Sequence, residues 1–195
     1  MIVPLSDEPD VEEAVADLNH QVRDAGLTAS AGQTHRRYPM QYWLMKSEPE
    51  ECSVDDVIAM PRATVPWFGV RNYQARNFMR DQMRLGDGVL FYHSSCARPG
   101  VVGLGEVASS AYPDATQFEP GSKYFDPKAS PESPRWQLVD IRVTEKTRTL
   151  DLAELRAQDA LADMVLLRRG NRLSITPITA HEWTTIVRLL RESPT

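Results

Sequence analysis

Trp67, Arg71, Asn72 and Tyr73 crowd flat rings, a guanidinium and an amide around one point of the chain. Rings stack on nucleobases, and the asparagine amide, with a donor and an acceptor at one end, can pair with a base edge. The same residues also suit structural work, because Trp is a common core residue and Asn a common helix cap. Lys46-Ser47-Glu48-Pro49 places an amine, a hydroxyl and a carboxylate at a strand end. Alternation sends Lys46 and Glu48 to one face and Ser47 to the other. A lysine beside a carboxylate can shuttle protons, or the two can form a plain ion pair while Ser47 satisfies a turn or bonds a base edge.

Phe91-Tyr92-His93-Ser94-Ser95 brings a ring, an imidazole and hydroxyls to another strand exit, with Tyr92 and Ser94 facing one way and His93 the other. No acid is close in sequence and no G-x-S-x-G elbow is present, which argues against hydrolase triad chemistry. Two basic groups, Arg76/Arg80/Arg84 and Arg168/Arg169/Arg172, can hold phosphates or form solvated faces. Gly103-Leu104-Gly105-Glu106-Val107-Ala108 has the letters of a dinucleotide fingerprint. It lacks the helix that must follow, since Ser109, Ser110 and Pro113 cannot continue one. These glycines read instead as strand positions approached closely by another backbone or a ligand.

The composition narrows the choices further. Among 195 residues, 42% hydrophobic and 25% charged, there is no bias toward disorder, collagen or a disulfide scaffold. Cys52 and Cys96 have no partners at metal-ligand spacing, and the four histidines lie far apart, so neither a metal centre nor a cofactor is expected. The net charge of −5 is uneven: residues 1–39 hold seven acids and three bases, the remainder twenty and nineteen. A nearly neutral body argues against coating nucleic acid by bulk electrostatics while allowing a local basic groove. No apolar run is long enough for a membrane span and the N-terminus has no signal-peptide pattern, so a cytoplasmic protein without membrane contact is expected.

The segments that must position these groups divide at residue 40. Residues 1–39 read as an N-terminal extension with one amphipathic stretch, Val11, Val15, Leu18 and Val22 sharing a face. The body, 40–195, opens with a buried strand at Tyr42–Met45, ended by Pro49. Ser53 with Asp56 forms a capping box for a helix through Met60, and a second helix is predicted from about Tyr73 to Met83. Val89–His93, Val101–Val107, Trp136–Val143 and Arg172–Ile175 read as strands, Leu150–Ala157 as a short helix, and Thr179 with Glu182 as the cap of a final one. Five prolines between residues 111 and 135 exclude helix and central strand there, and the aromatics among them favour an ordered loop. Short strands mixed irregularly with short helices predict an α+β fold, a small mixed β-barrel with peripheral helices.

Several long strings, in order, closely resemble the EVE domain of the PUA-like superfamily: Tyr42-Trp43-Leu44-Met45-Lys46-Ser47-Glu48-Pro49, Trp67-Phe68-Gly69-Val70-Arg71-Asn72-Tyr73, and Val89-Leu90-Phe91-Tyr92-His93-Ser94. Tyr124-Phe125-Asp126-Pro127-Lys128 and Leu167-Arg168-Arg169-Gly170-Asn171-Arg172 extend the resemblance, which runs from about Met40 to Leu190. It implies a PUA-like mixed β-barrel and the binding of DNA or RNA carrying a modified base, modified cytosine foremost, with no established catalysis. The implied pocket comprises Trp43, Ser47, Trp67, Asn72, Tyr92, His93 and Ser94, with Arg71, Arg76, Arg168 and Arg169 toward the nucleic-acid backbone. Cys52, where an aromatic is usual, and Ser95-Cys96 depart from the pattern on the pocket rim. A rival expectation comes from PUA-like relatives of the ASCH type, in which Lys46 and Glu48 would hydrolyse a nucleoside amide or RNA. The sequence leaves the oligomeric state open.

Overall fold

The computed structural model describes residues 39–192, so the amphipathic stretch expected within 1–39 lies outside the described residues. Six strands form one sheet in the order β2-β7-β4-β3-β1-β8. These are β1 (Tyr42–Ser47), β2 (Thr64–Pro66), β3 (Gly88–His93), β4 (Gly100–Val107), β7 (Asp140–Asp151) and β8 (Ile175–Ile178). β1 and β3 run parallel, and every other pairing is antiparallel. The α+β class expected from the sequence holds. β2 and β8 stand at the two edges with no ladder between them, so the sheet is not a closed barrel.

Alternation along the central strands sorts the apolar residues into two cores. Trp43, Met45, Val89 and Phe91 face one way and pack with Trp67 and Val70. Leu44, Leu90 and Tyr92 face the other way, against Ile186, Leu189 and Leu190 of the last helix. With both faces covered, β3 is buried from Gly88 to Tyr92 and reads as an unbroken apolar run.

Among the described residues four α-helices flank the sheet: α1 (Val54–Ala59), α2 (Tyr73–Asn77), α3 (Leu152–Arg156) and α4 (Ala180–Arg191). The capping boxes Ser53/Asp56 and Thr179/Glu182 start α1 and α4 as expected. The helix predicted over Tyr73–Met83 begins as α2 and widens at Phe78–Gln82 into a π turn, closed by the Met83 N–H to Phe78 carbonyl bond. In β4, a Cβ on Gly105 would lie 2.5 Å from the Arg142 carbonyl oxygen of β7. Backbone approach therefore explains this glycine, and the dinucleotide fingerprint is only a likeness of letters.

Two predicted segments move. The strand expected at Trp136–Val143 is split into β6 (Gln137–Leu138), which pairs with β5 (Tyr112–Pro113), and the twelve-residue β7. The strand expected at Arg172–Ile175 lies at Ile175–Ile178, leaving residues 172–174 as a loop. Among the described residues no helix is long and apolar enough to cross a membrane.

Candidate functional site

The parallel strands β1 and β3 end side by side, where the Ser94 N–H donates to the Ser47 carbonyl at 2.8 Å. Beyond these ends opens a cavity of about 450 Å³, within the usual range for small-ligand sites. One wall comes from the strand ends, with Lys46, Ser47, Glu48, Ser94 and Ser95. Another stretch of wall is the segment from Val65 to Arg71, and Tyr124 lines the cavity with it. Arg172 and Ser174 complete the rim from the loop before β8.

Asp114 holds the Trp67–Arg71 wall in place. One of its carboxylate oxygens accepts from the Gly69 N–H at 3.0 Å and the Arg71 guanidinium at 2.8 Å. The other accepts from the Thr116 N–H at 3.0 Å and the Thr116 hydroxyl at 2.6 Å. Arg71 also donates to the Tyr124 carbonyl through Nε at 2.8 Å. The proline-rich segment is therefore ordered, as its aromatics suggested, and tied to the cavity wall. Gly69, at φ +80°, lies beneath the Tyr124 ring, whose nearest atom would be 2.6 Å from a Cβ there. Only glycine allows both the turn and the ring.

The cavity combines flat apolar faces with hydroxyls and charges. Trp67, 7% exposed, meets Phe91 edge-on at 5.3 Å, and Phe68 meets Tyr124 edge-on at 5.9 Å. Burial, reinforced by the Glu51 carboxylate that its hydroxyl donates to, pushes the Tyr124 phenol up to about 12. Lys46 is half-buried, and burial holds its amine below the usual lysine value. Glu48 accepts from the Ser95 hydroxyl at 2.9 Å. The Ser47 hydroxyl donates to the Cys52 carbonyl, leaving its lone pairs to accept.

Of the residues singled out from the sequence, Ser47, Trp67, Ser94 and Arg71 line this cavity together with Lys46 and Glu48. Trp43 is 1% exposed near the start of β1 and donates its indole N–H to Asp87 at 3.0 Å. Tyr92 belongs to the core on the other face of the sheet. Asn72 caps α2, its side-chain oxygen accepting from the N–H groups of Gln74 and Ala75. Arg76 donates to the Arg135 carbonyl at 2.6 Å, and Arg168 to that of Asp163 at 3.2 Å. Arg168 and Arg169 are both exposed and outside the cavity lining. Phe68, Tyr124, Glu51 and Arg172 were not predicted as lining residues. Phe68 and Tyr124 stand inside the strings that carried the resemblance, and Arg172 in the second basic group.

His93 anchors the site from behind. Its Nε2 accepts from the Val54 N–H at 3.0 Å, a bond that requires neutral imidazole. Burial lowers its pKa from 6.5, outweighing the upward pull of Asp55 and Asp56, while Lys146 adds a downward one. The unfolded chain thus takes up this proton first as the pH falls. The stabilisation is complete above 6.5 and is lost as the pH drops through the lower folded value. Urea unfolding between about pH 8 and pH 5 should show this loss. His93→Gln, whose amide oxygen can accept the same N–H, should lack that component.

A family model described as EVE domain matches residues 41–189. Thymocyte nuclear protein 1 of Homo sapiens is 42% identical over 171 residues, spanning 78% of this chain and 75% of that protein. An uncharacterized protein of Schizosaccharomyces pombe is 34% identical over 166 residues, spanning 78% of this chain and 69% of the other. The crystal structure of human THYN1 in complex with 5-methylcytosine-containing DNA matches with a TM-score of 0.75 at 41% identity, covering 79% of this chain and 99% of that one. A crystal structure of a Pseudomonas syringae protein matches with a TM-score of 0.72 at 45% identity, covering 76% and 98%.

Proposed function

This chain belongs to the EVE domain family, and from that premise we propose that it is a non-catalytic nucleic-acid-binding module holding one modified base, a modified cytosine, in the cavity beyond β1 and β3. The observation that carries the reading is the cavity's make-up: Trp67, Phe68 and Tyr124 beside hydroxyls and charges, in about 450 Å³. The human relative's complex with 5-methylcytosine-containing DNA supports the same ligand class. A base reaches such a site from a single strand or by being turned out of a duplex. Ring contacts supply affinity, while Ser47, Ser94 and the backbone at the strand ends read the edge.

A methyl group adds only about 0.8 kcal/mol when buried, whereas a polar substituent that is hydrogen-bonded discriminates more strongly. Lys46 and Glu48 line the cavity, and in this reading they bond a hydroxymethyl or formyl group. The experiment is a binding titration with a DNA strand carrying a modified cytosine against the same strand with an abasic site there. The abasic strand should bind roughly 5- to 100-fold more weakly. Equal binding would place the base outside the cavity.

The half-buried Lys46 beside Glu48 favours a second reading, hydrolysis of a nucleoside amide or RNA. It requires turnover that Lys46→Ala abolishes. The binding reading requires no turnover and retained oligomer binding in that variant.

A further inference from the structure

Outside the cavity, a layered stack of rings and guanidinium groups continues from its wall. Arg71, a lining residue, has its guanidinium carbon 5.2 Å from the Tyr124 ring centre and 5.4 Å from that of Trp136. Trp136 lies on Tyr73, with ring centres 4.9 Å apart and planes inclined by 24°. Asn72 between Arg71 and Tyr73 is extended, at φ −115° and ψ 127°, which turns its two neighbours to the same side. Arg76 lies 4.9 Å and Arg135 5.8 Å from the Tyr73 ring centre.

Two properties of this stack exceed what is needed to rivet α2 to the loop. Tyr73 is 48% exposed although it is a large ring in a structured position. Arg76 bonds to the Asn77 side chain and the Arg135 carbonyl rather than to a carboxylate. Burial lowers its pKa, and the positive charges of Arg80 and Arg135 lower it further, outweighing the opposing pull of Tyr73 and Asp81. A guanidinium bonded to amide and carbonyl oxygens beside a half-exposed ring, with Arg135 shared between the Asp126 carboxylate at 3.6 Å and the Tyr73 hydroxyl, forms the kind of surface that holds single-stranded nucleic acid.

We propose that Tyr73, Arg76 and Arg135 form a second subsite that takes the nucleotide flanking the one in the cavity, its base against Tyr73 and its phosphate on the two arginines. The inference rests on the binding function proposed above, with Arg71 and Trp136 joining the two subsites.

The test compares 5-methyl-2′-deoxycytidine monophosphate, a short single-stranded DNA with one central 5-methylcytosine, and the same DNA with abasic residues on both sides of that base. The wild type should bind the intact strand roughly 5- to 100-fold more tightly than the strand with abasic flanks. Tyr73→Leu should erase this difference while leaving mononucleotide affinity unchanged. Arg135→Gln should reduce the slope of log affinity against log salt by about 0.7, the share of one phosphate contact. Folded variants that keep the wild-type flank dependence and salt slope would overturn the second subsite while leaving the cavity reading intact. Failure of the wild type to bind either the mononucleotide or the strand would overturn both.

Discussion

Asp114→Asn should lower the melting temperature by roughly 10 °C, although the two side chains have nearly the same shape. Asp114 is 1% exposed, and its four acceptor positions are filled by Gly69 N–H, Arg71, Thr116 N–H and the Thr116 hydroxyl. An asparagine amide must turn its NH2 toward one of these donor pairs, so two donors face each other whichever way it flips. In either orientation the Arg71 guanidinium also loses its counter-ion, because the amide carries no charge. Breaking such a pair costs about 3–5 kcal/mol, which in a protein of this size corresponds to the stated shift. The wall carrying Trp67 and Gly69 loosens with it, so oligomer affinity should fall in parallel. Differential scanning calorimetry with a binding titration below the transition checks both. A melting point within a degree or two of wild type would remove Asp114 from its role in the cavity wall.

Trp67→Leu should weaken binding of a modified-base strand by roughly 5- to 100-fold at a temperature where the variant remains folded. Trp67 closes the core against Phe91 and also lines the cavity, where the proposed function has a base meet its ring. Leucine keeps an apolar side chain but removes the surface on which a base stacks. Some stability is lost as well, because a Trp-sized space is left partly empty, and the cost is about 2–4 kcal/mol. Comparison with Ile141→Val, a change in the same core at a residue outside the cavity lining, separates the two effects. That variant should lose stability without losing affinity.

The elements were legible wherever one periodicity ruled. β1, β3 and β4 stand out as apolar runs because both sheet faces are covered. The caps of α1 and α4 are visible because they rest on residues three apart. β7 was underestimated because its second half, from Thr144 to Thr149, is polar and largely solvent-facing, while its ladder to β4 is interrupted by register shifts.

The cavity was legible only in part, for geometric reasons. Strand alternation placed Tyr92 and His93 on opposite faces, as found. The rule stops applying at Ser47 and Ser94, where the strands end and the chain turns into the cavity. Lys46, Ser47 and Glu48 can therefore all line it. Tyr124 reaches the site from a loop fifty-three residues beyond Arg71, a distance that no local pattern encodes. Asn72, read from the sequence as either cap or base reader, has its oxygen committed to the α2 cap.

The most direct single measurement is an NMR titration of the protein with a DNA strand whose 5-methylcytosine carries a carbon-13-labelled methyl group. Stacking inside the cavity predicts a ring-current shift of that methyl on binding and nuclear Overhauser contacts to Trp67 and Phe68. A strand that binds while its methyl resonance stays at the free position, without contacts to either ring, would contradict a base-holding cavity.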